Sequence, residues 1–222
     1  MNNHLPYTDF QYLLPPRTKA KAPFDVTIPV IQQWMKMPDA VAQLKINGQR
    51  NVIYISPEDK IELWGRHLEK HRSYTITPDL EAKVRALNYP RGKWNVFDSE
   101  LLHLKTSNVK NTIYLFDVLV WDGEYLIGDT YKERYGLLSQ LGDLGAFPLD
   151  RVAIDGMIYG AQNLVSAEWA GTWQAIANNS AVEGFVLKRT GAVSRLQQAG
   201  RSEINNSGFM CRVRKPFKNA QF

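Results

Sequence analysis

A lysine beside a tight turn is the first segment of the sequence whose residue types could do chemistry. Residues 43–50 read Gln-Leu-Lys-Ile-Asn-Gly-Gln-Arg, so Lys45 stands near the end of a β-prone run and Asn47-Gly48 follows it. Lysine is a nucleophile only when it is neutral, and burial or neighbouring cations lower its pKa. Lys45 is therefore a candidate nucleophile in a cleft. The alternative is an exposed lysine beside an ordinary hairpin turn.

Several cations further along the sequence could hold the oxygens of a polyphosphate. The planar fork of an arginine matches two phosphate oxygens at once, whereas a lysine acts as a point charge. Two of the arginines stand two residues apart on a β-prone run, so a strand would place them on one face. For each cation the alternative is a solvated surface position. The candidates are Arg50, Arg66, Lys188, Arg212 and Arg214.

Two acidic residues and one aromatic residue complete the candidates for a nucleotide site. Glu100 lies within an otherwise apolar β-run, where it could accept a hydrogen bond from a ribose hydroxyl or face water. Phe116 could stack on a nucleobase or pack in the core. Glu183 and Lys188 flank one β-run, and the two could hold a metal-bound water and a phosphate respectively.

The candidate residues fall on short β-prone runs that are separated by turn signals and a few helices. Residues 40–66 contain three such runs, which predict a meander, and residues 151–160 predict a single strand. Helical spacing is found at 78–89, 131–142 and 166–179. The lead-in, 1–38, is irregular and rich in proline, with one short helix near Ile31–Met35. The pattern predicts the α+β class with mainly antiparallel sheets.

Composition narrows the class of protein. The chain has 222 residues, which fits one large domain or two small ones. Hydrophobic residues make up 44% and charged residues 22%, which is ordinary for a globular protein and excludes a disordered or coiled-coil chain. No apolar run reaches the length of about 18 residues that spans a bilayer. No signal pattern opens the chain, and the single cysteine, Cys211, cannot form an internal disulfide. These features predict a cytoplasmic protein that does not bind membranes.

Positive charge is concentrated near one end of the sequence. Residues 188–222 contain eight basic residues and one acidic residue, a charge of +7, whereas the whole chain carries +5. The rest of the chain is therefore slightly negative. Such a cluster suits a polyanion, which would be nucleic acid or the phosphates of a nucleotide, and the alternative is a solvated surface.

The order of these segments resembles the covalent nucleotidyltransferase superfamily, which comprises ATP-dependent DNA ligases, RNA ligases and mRNA capping enzymes. The resemblance runs from about Gln43 to Pro216 and is nearest to small phage-type ligases, whose chains end in a stretch similar to 214–219. The family motifs K-x-D-G-x-R, D-G-E-L, F-D-x-L…D-G, E-R, E-G-x-V-x-K and K-x-K are similar to residues 45–50, 98–101, 116–123, 133–134, 183–188 and 212–214. A downstream arginine of the family matches Arg66.

The resemblance implies a single ATP-grasp-like adenylation domain over 1–222, with two antiparallel sheets, flanking helices and a nucleotide cleft between the sheets. It also implies an ATP-dependent polynucleotide ligase that uses Mg²⁺ or Mn²⁺. Such an enzyme joins the 5′-phosphate and 3′-hydroxyl ends of nicked DNA or RNA through a lysyl-AMP intermediate.

The family pattern gives each candidate residue a role. Lys45 would attack the α-phosphate, Glu100 would bind the ribose and Phe116 would stack on adenine. Gln43 would accept a hydrogen bond from the adenine amino group, and Glu183 would hold the divalent cation through water. The remaining cations would position the ribose and neutralise the phosphates: Arg50, Arg66, Lys188, Arg212 and Arg214.

Three features depart from the family pattern. Asn47 replaces the usual aspartate, arginines replace the final lysines, and the sequence ends soon after the last motif, where family members continue into an OB-fold domain. We therefore expect no OB-fold domain in 1–222 and consider a protein partner that supplies the missing part. Two other functions stay open. One is an mRNA capping guanylyltransferase that forms lysyl-GMP, and the other is a degenerate, non-catalytic module that binds nucleic acid.

Overall fold

The computed structural model describes residues 27–65, 69–126, 128–150, 152–191 and 210–215. The helices in these ranges are Thr27–Met35 (α1), Pro78–Arg85 (α2), Tyr131–Gln140 (α3) and Ser166–Ala175 (α4). The strands are Ala40–Ile46 (β1), Gln49–Ile55 (β2), Ile61–Gly65 (β3), Asn95–Leu102 (β4), Val109–Lys110 (β5), Thr112–Trp121 (β6), Glu124–Tyr125 (β7), Ile154–Asp155 (β8), Ile158–Gly160 (β9), Val182–Arg189 (β10) and Met210–Arg214 (β11).

The smaller of the two main sheets has the strand order β1-β10-β11, and its strands are antiparallel. One face of this sheet is apolar and packs against α1 and α4. Ala42, Phe185 and Leu187 on this face are fully buried beside Trp169 of α4. Because side chains alternate along a strand, the intervening residues of the same strands lie on the opposite face.

The larger sheet has the order β3-β2-β4-β6-β7, and β9 pairs with β6. Its central strands, β4 and β6, are buried over most of their length. Leu80 and Val84 of α2 and Leu138 of α3 pack against Phe97 and Leu115 on one face. A second, smaller apolar cluster includes Val52 of β2, Val96 of β4 and Val120 of β6. The predicted α+β class, with two main sheets and flanking helices, is confirmed.

The predicted meander over residues 40–66 is wrong for its first run. β2 and β3 do form a hairpin, in which Asn51 lies opposite Gly65. β1, however, pairs with β10 in the other sheet. Asn47-Gly48 is therefore the crossing between two sheets and not a hairpin turn. Pairing β1 with β10 buries a complete apolar face, and a local turn signal carries no information about that gain.

The single strand predicted over 151–160 is also wrong. The chain forms β8 and β9 there, and between them Gly156 adopts a φ of 66°. β8 runs parallel to β5, and β9 runs parallel to β6. A left-handed glycine breaks the extended backbone, so the two halves join different sheets. The remaining pairings between the strands of the two main sheets are antiparallel.

Local capping fixes two of the helices. The Thr77 hydroxyl accepts from the backbone N–H of Leu80 at the start of α2. At the start of α3, Thr130 and Glu133 form a capping box, in which each side chain accepts from the backbone N–H of the other. α1 begins at Thr27, earlier than the predicted short helix. No helix in the described ranges is both long and apolar enough to cross a membrane.

Candidate active site

The polar face of the smaller sheet brings together residues from both ends of the sequence. Gln43 and Lys45 alternate along β1, and they lie opposite Val186 and Gly184 of β10. Directly opposite residues share a face of an antiparallel pair. Lys188 of β10 follows two positions beyond Val186, while Arg212 and Arg214 of β11 lie opposite Val186 and Gly184. The structure therefore places these predicted site residues on one face.

Lys45, the candidate nucleophile, forms an ion pair with Glu183, the candidate metal-binding residue. Nζ of Lys45 lies 2.5 Å from Oε2 of Glu183, and the two side chains are only 18% and 11% exposed. Nε of Arg214 lies 3.0 Å from the same oxygen. Oε2 of Glu183 therefore pairs with two cations. Nζ of Lys45 has both a negative carboxylate and a positive guanidinium close to it.

Glu183 reaches Lys45 because of a β-bulge. The pairing register shifts between Lys45, opposite Gly184, and Ile46, opposite Val182, so that Glu183 is the extra residue of β10. In a regular strand Glu183 would point away from the face of its neighbour Gly184. A bulge bends the strand and aims the side chain in a new direction. The motif's glutamate is thus brought to the lysine by a local irregularity.

Gly184 makes the bulge possible. Its φ is 145°, and a Cβ atom at this position would lie 2.2 Å from the carbonyl oxygen of Val213. Both the backbone conformation and the close approach of β11 require glycine. The glycine in the Glu183-Gly184 pair therefore has a structural reason.

Glu100 of the larger sheet closes the site from the side of the crossing. The backbone N–H of Gly48 donates to its Oε1 at 3.2 Å. Burial raises the pKa of Glu100 to about 7, while the nearby charge of Lys45 acts in the opposite direction. A Cβ on Gly48 would lie 2.5 Å from the carbonyl oxygen of Leu101, so this crossing requires glycine as well. Lys105 donates from Nζ to the carbonyl oxygen of Gly48.

The unusual Asn47 has a structural role that aspartate could not fill. Its Nδ2 donates to the carbonyl oxygen of Ser180 at 3.1 Å, and its backbone N–H donates to Ala181 at 2.8 Å. A carboxylate has no hydrogen to donate at neutral pH. The asparagine therefore ties the crossing after β1 to the loop that precedes β10.

Lys188 stands between two aromatic rings at the junction of the two sheets. Its Nζ lies 4.3 Å from the ring centroid of Tyr131 and 5.7 Å from that of Phe116. Burial lowers the pKa of Lys188 to about 8, and the charge of Asp117 acts against that shift. Asp117 itself is paired with Arg134 of α3 at 2.8 Å, which lowers the pKa of the aspartate against the effect of burial. The ion pair of Asp117 and Arg134, both of which lie in family-like motifs, therefore lies close to Lys188.

Gln43, which precedes Lys45 by two residues on β1, is buried. It is 2% exposed, and its Nε2 donates to the hydroxyl of Tyr131 at 2.5 Å. The Tyr131 hydroxyl in turn donates to Oδ1 of Asn163 at 2.6 Å. A continuous chain of hydrogen bonds therefore runs from the sheet to the loop after β9.

The other predicted cations differ in their surroundings. Arg50 directs its fork at Asp98, with Nε–Oδ1 at 2.9 Å and Nη2–Oδ2 at 2.7 Å, and both residues are buried. Any contact of Arg50 with a ligand stays a prediction. Arg212 is 7% exposed on the site face. Arg66 lies outside the described residues.

Sequence reasoning missed three residues of this site: Lys105, Tyr131 and Asn163. Lys105 bonds the turn after Lys45, Tyr131 bonds Gln43, and Asn163 bonds Tyr131, each across at least 32 residues of sequence. Tyr131 is the first residue of α3 and lies two residues before the Glu133-Arg134 pair, so that motif could have pointed to it. No pattern in the sequence signals the other two, because they lie on loops.

The described ranges contain no group of three or more histidine, cysteine, aspartate or glutamate side chains arranged to hold a metal ion. Glu183 pairs with Lys45, and the charge of Lys45 also acts on Glu100.

Solved structures of DNA ligases share this fold. A mycobacterial DNA ligase D complexed with ATP and MES superposes with a TM-score of 0.50 at 15% identity, over 84% of this chain and 56% of that chain. A structure from a study of Lig E DNA ligases gives a TM-score of 0.50 at 14% identity, over 92% of this chain and 68% of that chain. The ligase domain of M. tuberculosis LigD gives 0.46 at 16% identity, over 69% and 48%.

The two superpositions with a TM-score of 0.50 show that this chain shares the fold of those DNA ligase structures, which agrees with the fold that the sequence motifs imply. The chain spans about half the length of the ligase D chains, 48% and 56%. No model of a known protein family and no curated protein sequence matches the chain.

Proposed function

We propose that this protein is an ATP-dependent polynucleotide ligase that carries AMP on Lys45. The observation that carries the proposal is the placement of Lys45 against Glu183 and Arg214 on the same sheet face as Gln43 and Lys188. A largely enclosed lysine with a neighbouring cation and a carboxylate that can accept its proton is suited to act as a nucleophile. The ligase-type fold supports the same conclusion.

The residues present suit ATP. Lys188 lies 5.7 Å from the ring centroid of Phe116 and shares a sheet face with Gln43, so a base in this region could meet an amide and a ring. Glu100 offers a carboxyl group to ribose hydroxyls, and the cations of β11 offer charge to phosphates. We propose that Mg²⁺ is held by Glu183, with Glu100 nearby, and mainly by phosphate oxygens and water. Mg²⁺ commonly binds in this way, with only one or two carboxylates of the protein.

The first step would form a P–N bond and break a P–O bond. Nζ of Lys45 loses a proton, for which the Glu183 carboxylate at 2.5 Å is the nearest acceptor, and attacks the α-phosphorus of ATP. Pyrophosphate leaves with the electron pair of the broken bond. The cations on the site face balance charge that develops on the phosphate oxygens, which is the main contribution of protein to phosphoryl transfer.

The later steps follow from the same chemistry. AMP moves from Lys45 to a 5′-phosphate, and a 3′-hydroxyl of DNA or RNA then displaces AMP and seals the strand. The basic residues near the end of the sequence suit the polynucleotide backbone.

Intact-mass measurement tests the proposal. The purified protein is first stripped of resident AMP with pyrophosphate and Mg²⁺, and then incubated with Mg²⁺ and either ATP or GTP. We expect an AMP adduct with ATP that is absent in Lys45→Arg, followed by sealing of a nicked 5′-phosphorylated duplex. A GMP adduct alone would instead indicate a capping guanylyltransferase. The absence of any adduct, together with nucleic-acid binding, would favour a non-catalytic module.

A further inference from the structure

A buried chain of hydrogen bonds joins the candidate base-reading residue to two residues outside the family-like motifs. Gln43 donates from Nε2 to the Tyr131 hydroxyl at 2.5 Å, and the hydroxyl donates to Oδ1 of Asn163 at 2.6 Å. Gln43 is 2% exposed and Tyr131 is 4% exposed. Bulk water therefore has little access to these bonds, and each polar atom depends on its protein partner.

The direction of the chain determines what Gln43 can offer to a ligand. A tyrosine hydroxyl has one hydrogen, so when it donates to Asn163 it must accept from Gln43. Burial raises the pKa of Tyr131 well above its ordinary value, so the hydroxyl keeps its hydrogen throughout the neutral range. One of the two N–H groups of the Gln43 amide is thereby bonded to Tyr131, which fixes the orientation of the amide and leaves its oxygen to accept a hydrogen bond.

The surrounding contacts hold both members of the chain in place. Nζ of Lys188 lies 4.3 Å from the ring centroid of Tyr131, against one side of the phenol. The backbone N–H of Asn163 donates to the Tyr135 hydroxyl at 3.3 Å. The next residue, Leu164, forms two backbone hydrogen bonds with Ala42, which ties the loop directly to β1. The chain is therefore anchored to the sheet that carries Gln43.

We propose that Tyr131 and Asn163 are positioning residues that fix the Gln43 amide with its oxygen toward the nucleotide, so that the site selects a 6-aminopurine over a 6-oxopurine. Adenine presents an amino donor at position 6, whereas guanine presents a carbonyl acceptor there. An outward amide oxygen pairs with the first and repels the second. A free glutamine could rotate its amide by half a turn and accept either base. This inference rests on the proposed use of a nucleotide by this site.

The experiment compares initial rates of AMP and GMP adduct formation, by intact mass, with ATP and GTP at equal concentrations and with Mg²⁺. Equilibrium dialysis of both nucleotides provides an independent readout. The variants are Tyr131→Phe, Gln43→Glu, the double variant with both changes, and Asn163→Asp. Tyr89→Phe is the matched control, because it removes a tyrosine hydroxyl that bonds Asp59 at 2.9 Å on a loop away from the site.

We expect Tyr131→Phe to reduce the ATP-to-GTP ratio about tenfold, the effect of losing one well-oriented hydrogen bond. A carboxylate has no donor that could face the ligand, so Gln43→Glu keeps the preference for ATP, and adding Tyr131→Phe to it has no further effect on the ratio. Asn163→Asp, which can only accept, also keeps the preference. The Tyr89→Phe ratio equals that of the wild type.

Three results would overturn the inference. The ratio could stay unchanged in Tyr131→Phe, it could fall by the same factor in the Gln43→Glu background, or Asn163→Asp could reverse the preference. Any of these, with a wild-type protein that forms an AMP adduct, leaves the proposed function intact. A wild-type protein that neither forms an adduct nor binds either nucleotide would overturn the proposed function and this inference together.

Discussion

The Nζ atom of Lys188 lies 5.7 Å from the ring centroid of Phe116, so the two main sheets meet at a contact between a cation and an aromatic ring. Lys188 belongs to β10 of the smaller sheet, and Phe116 belongs to β6 of the larger sheet. The lysine is buried and has a lowered pKa, which makes its charge sensitive to pH near neutrality. The site proposed here is built across this junction.

The pH dependence of nucleotide binding tests the role of Lys188. Because burial lowers the pKa of Lys188 to about 8, the ligand-free protein loses this positive charge as pH rises through that value. We expect the Kd for α,β-methylene-ATP to rise up to about tenfold between pH 7 and 9. Isothermal titration calorimetry measures this. In Lys188→Met binding should be weaker at both pH values with a shallower slope, and an identical slope would contradict the assignment.

Replacing Lys45, the proposed nucleophile, should abolish the proposed first step without unfolding the protein. Lys45→Arg keeps the positive charge beside Glu183, whose Oε2 lies 2.5 Å from Nζ of Lys45, but a guanidinium does not become a neutral nucleophile. We expect no AMP adduct and a free energy of unfolding within about 1 kcal/mol of the wild type. Intact mass and urea denaturation report the two quantities. An AMP adduct that persists in this variant would identify another nucleophile.

The charge of Glu183 should matter for both the rate and the metal requirement. Glu183→Gln keeps the size of the side chain but removes the charge that faces Lys45 and Arg214. We expect adduct formation to slow about 100-fold, the usual order for loss of a proton acceptor or charge partner. The measurement is the initial rate as a function of Mg²⁺ concentration. Exposed Glu124→Gln is the control, and a wild-type rate with an unchanged Mg²⁺ dependence would exclude the proposed role.

Gly184→Ala should destabilise the protein through the bulge. A Cβ there would lie 2.2 Å from the Val213 carbonyl oxygen, and the φ of 145° disfavours any other residue. We expect a loss of at least about 2 kcal/mol in the free energy of unfolding. Gly136→Ala within α3 is the control, because a Cβ there meets nothing within 4 Å and alanine favours helix by about 0.5–1 kcal/mol. Equal stabilities would mean that the bulge tolerates a side chain.

The raised pKa of Glu100 predicts how stability changes with pH. Burial raises this pKa from 4.5 to about 7, so between those values the folded protein holds a proton that the unfolded chain has released. The group therefore costs stability as pH rises through this window, and the cost is complete above pH 7.

Glu100→Gln removes that titration. We expect the stability difference between the variant and the wild type to grow from near its baseline at pH 4.5 to about 3 kcal/mol in favour of the variant at pH 8. Urea unfolding across this range measures it, with Glu124→Gln as the exposed control. A difference that does not change with pH would show that Glu100 titrates normally.

The sequence by itself determined which residues belong together chemically and the class of fold. Lys45, Glu183 and Lys188 stand in short motifs whose order is independent of how the strands pair, and the β-prone runs that carry them do form strands. The positions of α2, α3 and α4 could also be predicted from the sequence, because capping residues and apolar periodicity act within a few residues. Local chemistry leaves local signals.

Only the tertiary structure decided how these motifs meet. β1 pairs with β10 and not with β2, a β-bulge directs Glu183 toward Lys45, and Tyr131 forms a hydrogen bond with Gln43. The choice among possible strand pairings depends on how much apolar surface the whole arrangement buries, a quantity that no local window contains. The same holds for Asn163 and Lys105, whose loops are placed by the elements around them.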